Sequence, residues 1–231
     1  MTLQRITDAR VSQYTYYGIG GTADELYKID TIEDLAPIWA ETNAKKIPKI
    51  MLGKGANIVF SDEGFRGRIF LFKGKHIQWQ DSRVSIEAGE DVQKFIEKTN
   101  ENGFKDLCSL SGIPSSIGGM IRGNAGALGL EIADVIESVE FVDEYGKLQN
   151  WTNSQCKFGY RESIFKSNPQ WSIVRATLKL NQKTDPQEAL DKTRAILKDR
   201  WEKFPPGRSG GCVFKNTHQG STGQLLDQYG A

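Results

Sequence analysis

Cysteine and histidine are scarce, with three Cys and two His in 231 residues. Cys108, Cys156 and Cys212 are odd in number, widely spaced and outside any CxxC pair, which argues against a disulfide framework or a cysteine zinc site. His76 and His218 lack metal-ligand spacing, so no metal is expected. Net charge is equally slight: 30 Lys plus Arg against 29 Asp plus Glu leave a formal +1, too little to gather nucleic acid or an anionic membrane. No run approaches the ~18 apolar residues of a membrane-spanning helix. Met1–Arg10 holds Thr, Gln, Arg and Asp where a signal peptide would be apolar, so a cytoplasmic protein is expected. The 38% hydrophobic and 26% charged residues suit a folded chain. The length fits one large domain or two closely joined ones.

Glycine is plentiful at 24 residues, and it clusters at 18–21, 53–55, 64–67, 112–129 and 207–211. Between those clusters the patterns are regular. Glu25–Asp30 and Pro48–Leu52 read as strands around a helix over 31–45, capped by Thr31 and expected to be kinked or delayed by Pro37. Ile69–Phe72 and Val84–Ala88 read as strands. Asp91–Asn102 reads as a helix with Val92, Phe95 and Ile96 inward and Gly103 as its stop. Val135–Asp143 and Lys147–Thr152 flank a hairpin turn at Glu144-Tyr145-Gly146, and Ser172–Asn181 alternates as a strand. Asp185-Pro186-Gln187-Glu188 opens a helix running to about Lys203, with Leu190, Thr193, Leu197 and Trp201 inward and Lys192, Lys198 and Arg200 outward.

Four motifs carry chemistry. Leu52-Gly53-Lys54-Gly55-Ala56-Asn57-Ile58 is a strand entering a glycine turn whose backbone N–H groups can converge on a phosphate, although a plain tight turn would look the same. It has neither a Walker ending nor a GxGxxG spacing. Gly112-Ile113-Pro114-Ser115-Ser116-Ile117-Gly118-Gly119 followed by Asn124-Ala125-Gly126-Ala127-Leu128-Gly129 places two glycine turns close together. That pattern suits an extended diphosphate with a flat ring beyond it better than a core. Phe158-Gly159-Tyr160-Arg161 is ambiguous on its own, since an arginine beside an aromatic can be a surface stack, an ion pair or a catalyst. Ser209-Gly210-Gly211-Cys212-Val213-Phe214-Lys215-Asn216 is equally open, because a cysteine after two glycines can simply be a small buried residue.

Taken in order, these motifs, with Tyr17-Gly18-Ile19-Gly20-Gly21 and Ser61-Asp62-Glu63-Gly64-Phe65-Arg66-Gly67, resemble the UDP-N-acetylenolpyruvoylglucosamine reductases (UDP-N-acetylmuramate dehydrogenases) from about Tyr14 to the last residue. The resemblance implies an α+β fold: two FAD-binding subdomains of the vanillyl-alcohol-oxidase (PCMH) type, over 1–75 and 76–182. A connecting helix and the start of an incomplete α+β substrate domain would then occupy 183–231. It implies FAD contacts from Gly53, Lys54, Gly55, Ala56, Asn57, Ile58, Pro114, Ser115, Ser116, Gly118, Gly119, Asn124, Ala125, Gly126 and Ile132. NADPH would be the electron donor. Arg161 falls on the family's active-site arginine and Cys212 on its proton donor, where serine is the more familiar occupant. Tyr160, Lys215 and Asn216 would meet the UDP-sugar substrate. A monomer in peptidoglycan precursor synthesis is expected.

Thr222–Gly230 resembles the start of a helix early in the family's substrate domain, and the family's later glutamate, partner of the proton donor, has no counterpart before Ala231. Poor packing is expected beyond Gly207 for the same reason. This leaves an alternative, a flavin-binding homologue with little or no substrate reduction. An oxidase sharing the flavin fold is a third reading, against which the paired FGYR and GCVFKN motifs argue.

Overall fold

The protein is described from a computed structural model covering residues 3–203, 207–211, 214–218 and 220–230. Its elements in chain order are β1 (Leu3–Arg10), β2 (Thr22–Ile29), α1 (Ile32–Ala44), β3 (Lys49–Met51), β4 (Phe65–Phe72), β5 (Ile77–Gln80), β6 (Arg83–Glu87) and α2 (Val92–Glu101). There follow α3 (Ile117–Arg122), β7 (Gly126–Ala127), β8 (Leu130–Glu131), β9 (Ile136–Val142), β10 (Leu148–Thr152), α4 (Ile164–Ser167), β11 (Ser172–Lys179), α5 (Pro186–Lys203) and α6 (Thr222–Gln228). No helix among the described residues is long and apolar enough to cross a membrane.

Two sheets organise the chain. The first has the order β1-β2-β4-β3, with β4 parallel to both neighbours, Leu26 opposite Ile69 and Met51 opposite Phe70. The apolar end of β4, Ile69–Phe72, is buried on both faces as a central parallel strand requires. The second sheet has the order β10-β9-β11-β6-β5 and is antiparallel throughout. One hydrophobic core joins them: Tyr27, Ile29, Trp39 and Phe70 pack in the same cluster as Ile86, Phe95, Phe141 and Val174. A smaller cluster, with Leu26, Leu52, Phe60 and Ile69, lies elsewhere on the first sheet. Trp39 reinforces the joint by donating its indole N–H to the Gln170 carbonyl at 2.7 Å.

Local signals explain most boundaries. Thr31 Oγ1 accepts from Asp34 N at 3.2 Å, which caps α1 at Ile32. The helix then runs unbroken through Pro37, so the delay expected there does not occur. The stripe expected on α5 is also corrected. Trp201 is 76% exposed, whereas Ala189 and Thr193 are buried and Arg200, expected outside, buries its Nε beside Gly112. Thr193 to Arg200 is seven residues, close to two helical turns, so those two share a face and Trp201 turns away. Thr193 is fixed there by Asn100, whose amide donates to its hydroxyl at 2.8 Å between α2 and α5.

Candidate functional site

β3 ends at Met51, opposite Phe70, the parallel β4 runs on to Phe72, and the chain leaves β3 directly into the Gly53 turn. Crevices at such carboxyl ends are natural ligand positions. A cavity of about 160 Å³ lies there, lined by Gly53, Lys54, Lys73, Lys94, Asp91 and Ser116 among others. A Cβ on Gly53 would collide with Ser116 Oγ, so the two glycine-rich loops meet closely enough that a side chain at Gly53 would force Ser116 Oγ to move. Gly55 has φ +64°, and a Cβ there would stand 2.8 Å from Thr15 Cα.

The electrostatics of this crevice are cationic. Lys54 ion-pairs with Asp91. Burial alone would raise the Asp91 carboxyl, but hydrogen bonds from Lys54 and from the Lys94 backbone hold it below its usual value. Burial pushes the Lys73 ammonium down, and nearby Lys75 and Lys28 push it further. Lys54, Lys73, Lys75 and Lys94 with the bare glycine backbone are a donor set that fits a diphosphate, and Asp91 offsets one of those charges.

Ser116 Oγ caps α3 by accepting from Gly119 N at 3.3 Å. Gly118 and Gly119 therefore lie inside a short helix, where the sequence suggested a turn. α3 spans about 9 Å at 1.5 Å per residue, which separates the Ser116 end of the loop from its Asn124 end. Asn124 is 1% exposed, with φ +40°. Its amide donates to Glu131 Oε2 at 2.7 Å and to the Gly159 carbonyl at 2.9 Å, and its Oδ1 accepts from Ala133 N at 3.2 Å. One buried side chain thus fastens the glycine loop to the Phe158–Arg161 motif.

That motif closes as a four-residue turn. Gly159 and Glu162 exchange two backbone hydrogen bonds, each 3.0 Å, leaving Tyr160 and Arg161 at the tip. Arg161 has φ +58°, a left-handed conformation ordinarily given to glycine, as has Asn124 at +40°. Its guanidinium donates to the Gly126 carbonyl at 2.8 Å and the Asn124 carbonyl at 3.5 Å, lies 4.0 Å from Glu131 and stacks 5.1 Å from the Tyr160 ring centre. Lys166 steadies the turn from behind, donating to the Arg161 carbonyl at 2.9 Å.

Lys215 and Asn216 reach the same turn. Lys215 Nζ lies 2.9 Å from Glu162 Oε1, and Asn216 N donates to Tyr160 Oη at 3.2 Å. Cys212 lies outside the described residues. Of the other expected contacts, Ala56 accepts a hydrogen bond from Tyr17 Oη through its carbonyl, while Asn57 is exposed. The Ile132 side chain is buried in the core, 1% exposed, and its N–H is spent on the Ala125 carbonyl. Segment 114–126 meets both the Gly53 turn and Arg161: Ser116 lies against Gly53, and the Asn124 and Gly126 carbonyls accept from Arg161.

The FAD binding domain family matches residues 23–152. UDP-N-acetylenolpyruvoylglucosamine reductase of Protochlamydia amoebophila is 37% identical over 97% of this chain and 74% of its own length. The chain belongs to the UDP-N-acetylenolpyruvoylglucosamine reductase family. Its relative from Solibacter usitatus is 37% identical over 89% of this chain and 66% of its own length. The solved UDP-N-acetylenolpyruvylglucosamine reductase of Thermus caldophilus superposes with a TM-score of 0.81 at 30% identity, covering 99% of this chain and 80% of that one. Alkyldihydroxyacetonephosphate synthase, at 16% identity and a TM-score of 0.55 over 78% of this chain, shares the fold alone. The fold is thus the PCMH-type FAD-binding fold that the resemblance implied, and the chain is of an oxidoreductase family.

Tyr17, Asp91 and Glu131 are site neighbours that sequence reasoning did not assign. Tyr17 stood in a quoted glycine motif, but Asp91 was read as the start of a helix and Glu131 carried no local signal.

Proposed function

We propose that the chain reduces the enolpyruvyl ether of UDP-N-acetylglucosamine to UDP-N-acetylmuramate, a step of peptidoglycan precursor synthesis, with NADPH as electron donor. On this reading residues 1–75 and 76–182 are the two FAD-binding subdomains, and 183 onward begins the substrate-binding part. The observation that carries it is Arg161 held in a left-handed turn and fastened to loop 124–126 of an FAD-binding fold.

Gly53–Ile58 and Ser115–Ser116 would hold the FAD diphosphate with backbone N–H groups and the surrounding lysines. Pro114, Gly118 and Gly119 would shape the loop, since proline has no N–H and those of Gly118 and Gly119 are spent on the Ala88 carbonyl and Ser116 Oγ. Ala125 and Gly126 would border its ring, with Asn124 and Ile132, each 1% exposed, supporting that loop from behind. When bound, FAD supplies a hydride acceptor for NADPH and a hydride donor for the substrate, so one cleft can serve both in turn.

Hydride addition to the enolpyruvyl double bond drives negative charge toward the substrate carboxylate. A permanently charged guanidinium at Arg161 stabilises that charge without exchanging protons. Its two carbonyl contacts leave further N–H donors for the carboxylate. Cys212 would then give a proton to the neighbouring carbon, since an ordinary thiol is mostly protonated at neutral pH. Tyr160, Lys215 and Asn216 would contact the substrate, Lys215 through its diphosphate.

An anaerobic visible-absorbance titration of the FAD-loaded protein tests this. NADPH should bleach the flavin, and the enolpyruvyl substrate should restore its colour. Bleaching without recovery would select the flavin-binding homologue, and protein that stays colourless after soaking in FAD would overturn both readings.

A further inference from the structure

Glu162 is engaged from three directions. Its backbone closes the Gly159–Glu162 turn, and its Oε1 accepts from Lys166 at 3.0 Å and from Lys215 at 2.9 Å. The hydrogen bonds from Lys215 and Lys166 hold its carboxyl below the usual range. On the other side of Arg161, Tyr160 Oη accepts from Asn216 N. The two neighbours of Arg161 in sequence therefore grip two consecutive residues of the C-terminal segment. That segment is braced in turn by Thr222, whose hydroxyl donates to the Lys215 carbonyl at 2.5 Å. Arg122, ending α3, adds a further positive charge near Glu162.

We infer that Glu162 is a positioning residue: acting through Lys215, its carboxylate holds the segment that follows Cys212 in register with Arg161. This rests on the roles proposed for Arg161 and Cys212, and goes beyond them in assigning what holds Lys215 and Asn216 at the Tyr160–Glu162 turn. Lys166 sets the Glu162 carboxylate, Glu162 sets Lys215, and the Tyr160–Asn216 bond fixes the second point that prevents the segment from pivoting.

The test uses FAD-loaded protein carrying Glu162→Gln, Glu162→Asp, Lys215→Met and the double variant Glu162→Gln/Lys215→Met. Glu162→Gln should leave FAD content and bleaching by NADPH unchanged and slow substrate-dependent reoxidation about fivefold, the scale of an exposed charge pair. Glu162→Asp, which keeps the charge, should recover part of that loss. The double variant should reoxidise no more slowly than Lys215→Met, because Glu162 has nothing left to act through. Additive losses, or Glu162→Gln reoxidising at the wild-type rate, would overturn the inference. Limited trypsin digestion gives a readout independent of turnover: cleavage after Lys215 should be faster in Glu162→Gln than in wild type, and equal rates would also count against it. If wild-type protein is bleached but never reoxidised, the functional reading fails while the digestion still decides the role of Glu162.

Discussion

At the scale of single residues, Arg161 shows backbone and chemistry in opposition. A left-handed conformation costs an L-residue about 1 kcal/mol or more relative to glycine, and here the cost falls on the residue whose guanidinium the proposed reaction needs. Arg161→Gly and Arg161→Ala delete the same side-chain contacts but differ in tolerance of φ +58°. Arg161→Gly should therefore be the more stable of the two in urea unfolding by about 1 kcal/mol. Both should bleach with NADPH and fail to recover with substrate. Equal stabilities would mean that the turn relaxes once the guanidinium is gone. Cysteine gives a second test at this scale. Burial raises the Cys156 thiol to about 11 from an ordinary 9.0. The folded chain therefore keeps that proton where the unfolded chain has lost it, and its contribution to stability is complete below pH 9 and shrinks as pH rises. The expected slope is ~1.4 kcal/mol per pH unit between those values, and Cys156→Ala should abolish it in urea titrations at pH 8 to 11. Cys108, fully buried with its thiol on Asn100 and the Ala189 carbonyl, should likewise resist alkylation in the folded state.

At the scale of elements, what was legible depended on whether a segment carries its own pattern. α2 announces itself through Asp91 at its cap and Val92, Phe95 and Ile96 on one face, and it forms with that cap and that face. β1 went unread because Leu3–Arg10 buries only one residue well and offers no alternation; it is an edge strand held by pairing to β2 rather than by a core face. α3 was hidden by its glycines, which ordinarily argue against helix. The signal that decides it is Ser116, a cap that has meaning only once the loop it faces is known. The candidate site was legible as motifs but not as geometry: nothing local places Gly53 against Ser116 or Asn124 against Gly159, since those contacts follow from tertiary packing. The first of them can be tested. Gly53→Ala forces Ser116 Oγ to rotate, which removes the acceptor for Gly119 N and should cost about 1 kcal/mol, the value of an N-cap. Ser116→Ala loses the same cap. The double variant should cost no more than Ser116→Ala alone, and additive costs would show that the loops do not press on one another.

At the scale of the whole molecule, the cofactor crevice and the main core are neighbours built from the same strands. Ile29, Phe70 and Phe72 belong to the first sheet, yet they pack in one cluster with Ile86 and Phe95 of the second sheet and α2, and the cavity is floored by Leu52 and Phe72. Across the opening, Lys54 of the Gly53 turn is paired with Asp91, which also caps α2. Neither sheet can lose its core without opening the crevice, because the faces that would have to separate are the ones the crevice walls stand on. Unfolding of the FAD-loaded protein in urea should therefore be a single transition, with the rise of free-flavin fluorescence and the loss of far-ultraviolet circular dichroism sharing one midpoint. Trp39→Phe, which strips the Gln170 carbonyl of its indole donor, should move both midpoints down together. Flavin release well before the loss of secondary structure would show instead that the two sheets part as separate units.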